Sequence, residues 1–98
     1  MIHSRQKDGK EILEFCEKYN ILKNRKPLMA VPTNYPSLSE VELQNAGINI
    51  IVYANQLLRA SYSAMLETAN SILKYRRALE ADEKYIKALD LINLIKGN

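Results

Sequence analysis

Hydrophobic residues in the segment 47–74 follow two different spacings, and the change between them is the clearest pattern in the chain. The run INIIVY at 48–53 is nearly all apolar and rich in β-branched side chains, which is typical of a short strand buried on both faces of a parallel sheet. After a polar turn at 54–56, apolar residues recur every three or four positions over 57–73, the spacing of an amphipathic helix. The segment therefore predicts one β/α unit.

The residues before this unit repeat the alternation of strand and helix. Residues 1–4 have the pattern of the end of a strand, and residues 28–32 that of a second short strand. Between them, Asp8 as N-cap and Glu11 as its capping-box partner predict a helix that runs to about Tyr19. The side chains predicted to face the core on this helix are Ile12, Leu13, Phe15, Cys16 and Tyr19.

Two more helices are predicted from their end signals. Ser37 and Glu40 form a second capping-box pattern, and the short helix that they begin ends with Gly47 at the C′ position. A final amphipathic helix covers about 86–95 and is stopped by Gly97. This order of elements predicts a parallel sheet covered by helices. Three strands, the first one truncated, make a poor sheet, so we expect the last part of a larger α/β protein.

The length, charge and cysteine content of the chain argue against several classes of partner and site. Ninety-eight residues allow one small domain, and a net charge of +3, with basic and acidic residues interspersed, argues against nucleic-acid and membrane partners. A small nucleic-acid binder is supported only by an isoelectric point of about 9.0. There is no apolar run long enough to span a bilayer and no signal-peptide pattern, so we expect a cytoplasmic protein. The single cysteine, Cys16, excludes an intrachain disulfide and is expected to be buried.

Several short segments, taken in their order and spacing, resemble a known family over nearly all of the chain. They are His3-Ser4, Val31-Pro32-Thr33, Ile51-Val52-Tyr53-Ala54-Asn55, Leu58-Arg59-Ala60-Ser61 and Leu79-Glu80-Ala81-Asp82-Glu83. In these segments the chain resembles the C-terminal part of phosphoenolpyruvate mutases, members of the isocitrate lyase superfamily of (β/α)8 barrels. The resemblance implies strands six to eight of a TIM barrel at 1–75, with their helices, and a C-terminal helical extension at 76–98.

The same resemblance implies an activity for the intact protein. Mutases of this family move a phosphoryl group from the enol oxygen of phosphoenolpyruvate to C3, giving phosphonopyruvate, and they require Mg²⁺. The metal-binding carboxylates come from earlier strands and have no counterpart in this sequence. We therefore expect the intact parent to be an isomerase of phosphonate biosynthesis and the 98-residue chain alone to be inactive, so whether this chain is itself an enzyme stays open.

Candidate site residues follow the first predicted strand. His3 is the only histidine and stands at a strand end, where barrel enzymes carry their functional side chains. By resemblance it matches the family's phosphate-contacting histidine, and we expect it to be catalytic and to bind substrate. Ser4 and Arg5 are weaker substrate-binding candidates, because Ser4 equally suits a turn and Arg5 a salt bridge on the barrel rim. No residues are predicted as metal ligands.

Other positions have structural alternatives. Pro32 and Thr33 are expected mainly to shape a loop, and Asn55 to cap a helix or bond its own turn. The resemblance also implies a homo-oligomer formed through the helix at 57–74, although its apolar face suits packing against its own sheet equally well.

Other functions remain open at this point. The chain is also compatible with another superfamily member, namely a phosphonopyruvate hydrolase, an oxaloacetate decarboxylase or an enzyme of the 2-methylisocitrate lyase type. The non-enzymatic alternative is a fragment with a structural or assembly role and no catalytic activity.

Overall fold

Three short parallel strand segments lie side by side in the order in which they occur in the chain. The computed structural model describes residues 1–95. Strand β1 (Met29–Ala30) pairs in parallel with β2 (Ile50–Ile51), with Met29 opposite Ile50. On its other side, Ala30 forms a parallel bridge with Ile2. The predicted parallel arrangement is confirmed, although the strands are shorter than the predicted runs.

Helix α1 (Lys10–Asn20) follows the first segment, and its N-terminus differs from the prediction. Its N-cap is Gly9, in the left-handed conformation with φ 73°, and no side chain caps it. Asp8 instead accepts a 3.1 Å hydrogen bond from the Lys10 N–H, and Glu11 accepts one from the Ser4 hydroxyl. The predicted Asp8–Glu11 capping box is therefore wrong, because both carboxylates are engaged elsewhere.

Helix α2 (Glu40–Asn45) has a complete capping box, two residues later than predicted. Ser39 accepts from the Glu42 N–H at 3.2 Å, and Glu42 accepts from the Ser39 N–H at 2.8 Å. The predicted pair Ser37–Glu40 has the same spacing but is not used. Since the sequence offers the S-x-x-E pattern twice in overlapping positions, local spacing alone could not choose between the two.

The C-terminus of α2 confirms the prediction for Gly47. This glycine has φ 99°, and its N–H donates to the Gln44 carbonyl at 2.9 Å. The next N–H, that of Ile48, donates to the Leu43 carbonyl at 3.0 Å. The two bonds form a Schellman motif, which leads the chain from α2 directly into β2.

One hydrophobic core joins these elements into a compact unit, Met1–Gln56. Its buried residues are Ile12, Cys16, Leu28, Ala30, Tyr35, Leu43 and Ile48. Burial was predicted for Phe15, Ile50 and Tyr53, but they are 42%, 46% and 56% exposed, and Phe15 stacks on Tyr19. Ile50 lies on β2, which is an edge strand among the described residues, so the expected burial on both faces is not reached.

The second compact unit begins at Leu57, the second residue of helix α3 (Gln56–Tyr75), and also contains α4 (Leu79–Asp82) and α5 (Ala88–Ile95). Among its described residues only Ala81 is a buried hydrophobic residue. The short helix α4 was not predicted, and Gly97, the predicted stop signal, lies outside the described residues. The predicted domain limits 1–75 and 76–98 concern the parent barrel and stay a prediction.

Within residues 1–95, no helix combines the length and the apolar character that a membrane span needs.

Candidate functional site

The carboxyl edge of the three strand segments collects polar side chains from different parts of the chain. Because the segments are parallel, the residues that follow them meet at one edge of the sheet. His3 follows the bridge at Ile2, Thr33 and Asn34 follow β1, and Asn55 follows β2. In open and closed α/β sheets this edge is where ligands bind.

His3 is exposed at this edge, and its ring lies within hydrogen-bond distance of the Asn34 side chain. The Nδ2 of Asn34 lies 3.3 Å from the Nε2 of His3 and donates to the Ser4 carbonyl at 3.0 Å. The amide therefore joins the loop after β1 to the residues that follow Ile2. It leaves the imidazole open to solvent, where it can meet a ligand.

Ser4 is buried, and its hydroxyl is already engaged within the protein. The hydroxyl donates to Glu11 at the start of α1 and accepts from the Gln6 N–H at 3.0 Å. This geometry is that of a turn residue anchored to the following helix. Arg5 is exposed at the same turn. The role of both residues towards a substrate stays a prediction, as does that of His3.

A second pair links the ends of β1 and β2. Asn55 donates from Nδ2 to the Thr33 hydroxyl at 3.3 Å, so its amide neither caps α3 nor bonds its own turn as expected. Its Oδ1 is buried and has no hydrogen-bond partner among residues 1–95. A buried acceptor without a donor costs free energy, so this oxygen is suited to a donor from outside the described residues.

Sequence reasoning named His3, Thr33 and Asn55 as strand-end residues but missed Asn34. The only available signal was its place one residue after Thr33, in a turn between two prolines. Turns are rich in asparagine for reasons of backbone geometry, so that signal could not separate a site residue from an ordinary turn residue.

The amino edge of the sheet has a different arrangement, centred on Arg25. Its guanidinium donates to the side chain of Asn20, to the Gly47 carbonyl at 3.2 Å and to Asn49 Oδ1 at 3.3 Å. Asn49 Oδ1 also accepts from the Leu28 N–H at 2.9 Å. These bonds tie together the segments that enter β1 and β2, which is a stabilising role rather than a chemical one.

An open cleft of about 580 Å³ extends from this amino-edge cluster along α2 and β2. Its other lining includes Glu40, Gln44 and Tyr53, and the Tyr53 hydroxyl donates to Glu40 at 2.8 Å. This bond to the carboxylate raises the pKa of Tyr53. The cleft contains none of the polar groups of the carboxyl edge.

The core beneath the site carries the single thiol. Burial raises the pKa of Cys16, an effect that the nearby positive charge of Arg25 partly opposes. A thiol that is buried and resists ionisation is a poor nucleophile. Cys16 is therefore a structural residue, as expected.

Residues 1–95 contain no group of three or more His, Cys, Asp or Glu side chains that could hold a metal ion. The side chains of this part of the chain thus do not fit a resident Mg²⁺, and no chemical step can be derived through one here.

Comparison with known proteins gives a consistent assignment. The family model described as phosphoenolpyruvate phosphomutase matches residues 1–73. The phosphoenolpyruvate phosphomutase of Tetrahymena pyriformis is 32% identical over 94 residues, covering 96% of this chain and 30% of that protein.

Solved structures agree with the sequence match. The phosphoenolpyruvate phosphomutase of Streptomyces platensis subsp. rosaceus superposes with a TM-score of 0.87 at 29% identity, over 97% of this chain and 32% of its own. A phosphonopyruvate hydrolase in complex with oxalate and Mg²⁺ gives 0.83 at 32% identity, over 98% and 33%. The chain spans about a third of the length of the relatives that it matches.

The α/β fold, the order of its strand segments and the match over residues 1–73 all lead to one assignment. This chain belongs to the phosphoenolpyruvate phosphomutase family of the isocitrate lyase superfamily.

Proposed function

We propose that this chain supplies strands six to eight of a (β/α)8 barrel, with their helices, to a phosphoenolpyruvate mutase-like enzyme. The support is the parallel order of Ile2, β1 and β2 and the share of the relatives' length that the chain covers. In a barrel, the free edge of β2 would pair with the first strand, which would also cover the exposed Ile50.

The observation that carries the functional proposal is the position of His3. It stands exposed at the carboxyl edge with one nitrogen next to Asn34, so the rest of its ring is free for a ligand. There the imidazole would donate a hydrogen bond to a phosphoryl oxygen and stabilise its charge during transfer. Ser4 would act indirectly, by fixing the turn that carries His3, and Arg5 would add positive charge at the rim.

The proposed reaction is the interconversion of phosphoenolpyruvate and phosphonopyruvate. The bond from phosphorus to the enol oxygen breaks and a bond from phosphorus to C3 forms, so atoms and electrons balance within one molecule. Mg²⁺ is present in the hydrolase complex with oxalate; here it would be held by groups outside residues 1–95, because these residues contain no ligand cluster for it. The 98-residue chain alone is accordingly expected to be inactive.

We also propose that the enzyme is a homo-oligomer with contacts through the helix at 57–74. Helix α3 has large apolar side chains on its surface, and none of its residues is buried. Exposed apolar surface of this extent is typical of interfaces.

A chimaera tests the catalytic proposal. The part of the Tetrahymena pyriformis phosphomutase that precedes the matched region is joined to Met1 of this chain, and conversion of phosphonopyruvate with Mg²⁺ is followed by ³¹P NMR. We expect phosphoenolpyruvate to form, and His3→Ala to lower kcat by about 100-fold, as for the loss of one charge-stabilising donor. Thr33→Ala, which leaves His3 intact, should have a much smaller effect.

Two results would count against the proposal. One is a folded chimaera, judged by circular dichroism and gel filtration, that does not convert phosphonopyruvate. The other is full turnover by the His3→Ala variant, which would remove this residue from the site.

Phosphonopyruvate hydrolysis is the second candidate function, favoured by the match to a phosphonopyruvate hydrolase. A second chimaera with the preceding part of that hydrolase tests it. If both chimaeras are active, each with the reaction of its N-terminal partner, then this chain supports both reactions. The residues that precede it in the intact enzyme would then determine which of the two is catalysed.

A further inference from the structure

Asn34 makes two contacts from a single nitrogen, and together they restrict the chemistry of His3. Its Nδ2 lies 3.0 Å from the Ser4 carbonyl oxygen and 3.3 Å from His3 Nε2. The side chain is half-buried, between the loop after β1 and the residues after Ile2. An amide nitrogen carries two N–H groups, so both contacts can be hydrogen bonds at once.

The Ser4 carbonyl determines which way the amide faces. A carbonyl oxygen only accepts, so the atom of Asn34 next to it must be the NH₂ group and not the oxygen. The orientation of the amide therefore does not depend on the assignment of its two end atoms, which similar shape often leaves ambiguous. The second N–H of the same group then faces His3.

The tautomer of His3 follows from this orientation. A neutral imidazole has one nitrogen that donates and one that accepts. Since Asn34 presents an N–H, Nε2 must accept with its lone pair, and the ring proton must be on Nδ1. The hydrogen bond made by one ring nitrogen sets the state of the other, as in many histidine sites.

We propose that Asn34 is a positioning residue that holds neutral His3 as the Nδ1–H tautomer. Where the catalytic proposal also holds, Nδ1–H becomes the donor offered to the phosphoryl oxygen. The tautomer proposed for His3 does not depend on which reaction the enzyme catalyses. The role of Nδ1–H as donor to a phosphoryl oxygen rests on the proposed function. Because the Ser4 carbonyl is backbone, the arrangement exists before any ligand binds.

The tautomer can be measured directly, because the chain contains one histidine. Two-bond ¹H–¹⁵N correlation spectra of the ¹⁵N-labelled chain, at a pH where the ring is neutral, distinguish the protonated nitrogen from the unprotonated one. We expect Nδ1–H to predominate, whereas a histidine free in water favours Nε2–H. Predominance of Nε2–H in the wild-type chain would overturn the proposal without any variant.

Two substitutions and a control sharpen the result. Asn34→Ala removes the donor, so the ring should shift towards Nε2–H. Asn34→Asp replaces the donor by an acceptor of similar shape, so the shift should be at least as large. Asn24→Ala, at an exposed position in the loop after α1, should leave the tautomer unchanged. Nδ1–H persisting in a folded Asn34→Ala variant would show that another group sets it.

Kinetics of the phosphomutase chimaera separate this proposal from the catalytic one. Asn34→Ala should lower kcat by about 10-fold or more, as for partners that orient functional histidines, with a smaller change in KM. An inactive, folded wild-type chimaera with His3 as Nδ1–H contradicts the catalytic proposal alone. An active wild-type chimaera with His3 as Nε2–H contradicts the positioning proposal alone.

Discussion

The two compact units of this chain both contain regularly spaced apolar residues, but the first unit buries many of them and the second leaves most of them exposed. In Met1–Gln56, strands and helices bury seven residues in a common core. In the unit that begins at Leu57, helices α3 and α5 have equally clear apolar faces, but the large side chains on them are exposed. A regular apolar spacing therefore predicts a helix and its inner face, but not what covers that face.

The difference also separates two sources of helix stability. Helices α1 and α2 are held by their packing against the sheet, which is how most helices in proteins are stabilised. In the second unit, where Ala81 is the single buried hydrophobic residue among those described, Lys84 and Tyr85 donate hydrogen bonds to Glu67. The hydrogen bond from Lys84 lowers the pKa of Glu67. Exposed pairs of this kind contribute little.

The largest expected effect compares two leucines. Leu43→Ala opens a cavity in the core of the first unit and should lower the free energy of unfolding by about 2–5 kcal/mol. Leu58→Ala, at a position that is 71% exposed on α3, should change the free energy of unfolding of the monomeric chain by no more than about 0.5 kcal/mol. Urea denaturation followed by circular dichroism measures both. A large loss for Leu58→Ala would mean that this face is covered in solution.

The next prediction concerns the two left-handed positions that end helices. Gly47→Ala places a Cβ at φ 99°, 2.6 Å from Asn20 Oδ1, and should cost about 1–3 kcal/mol in thermal or urea unfolding. Arg76, with φ 56°, is the corresponding non-glycine residue after α3. Arg76→Gly relieves that strain and should stabilise the chain by up to about 1 kcal/mol. A loss on Arg76→Gly would contradict this account.

A smaller effect decides between the two overlapping capping boxes. Ser39→Ala should destabilise the first unit by about 1 kcal/mol, whereas Ser37→Ala should be nearly neutral. Hydrogen bonds from the Ser39 N–H and hydroxyl lower the pKa of Glu42. The stabilisation from this carboxylate is therefore present above its unfolded pKa and lost as the pH falls, so Glu42→Gln should flatten the acid limb of the stability profile. An equal loss for both serine variants would reject the assignment.

The smallest expected effect on stability concerns the Cys16 thiol, which should differ strongly in reactivity from a cysteine on the exposed surface of α3. Cys16 should react with thiol reagents only as fast as the first unit opens, whereas a cysteine introduced by Ser63→Cys on α3 should react at once. Burial raises the pKa of Cys16, so its contribution to stability is complete below the unfolded pKa of about 8.5 and decreases as the pH rises. Rapid labelling of Cys16 without denaturant would show that the core is open.

Much of the fold could be predicted because it depends on local signals. The alternation of apolar runs predicted the parallel strand segments, and Gly47 predicted the end of α2, since its positive φ is nearly specific to glycine. Exposure of Phe15 and Ile50 could not be predicted, because it depends on which neighbours are present. The capping of α1 was missed because Asp8 accepts from the Lys10 N–H and Glu11 from the Ser4 hydroxyl, and the capping-box spacing gives no sign of these alternative partners.

The candidate site was predictable only in part. Strand ends identified His3, Thr33 and Asn55, but the contact between Asn34 and His3 joins residues that follow two different strand segments of the first unit and are 31 positions apart, and no pattern along the chain connects them. The direction of this hydrogen bond, from the Asn34 N–H to the His3 ring nitrogen, depends on the Ser4 carbonyl. Because every residue has a backbone carbonyl, the identity of residue 4 gives no sign of this contact.

The order of the sheet has a consequence for how such a chain forms during synthesis. Ala30 pairs with Ile2, and Ile50 pairs with Met29, so each new strand joins the one made just before it. On a ribosome, where the N-terminus emerges first, β1 and β2 each find the strand segment that they join already outside the exit tunnel. The first unit can therefore assemble progressively, without waiting for residues that have not been translated.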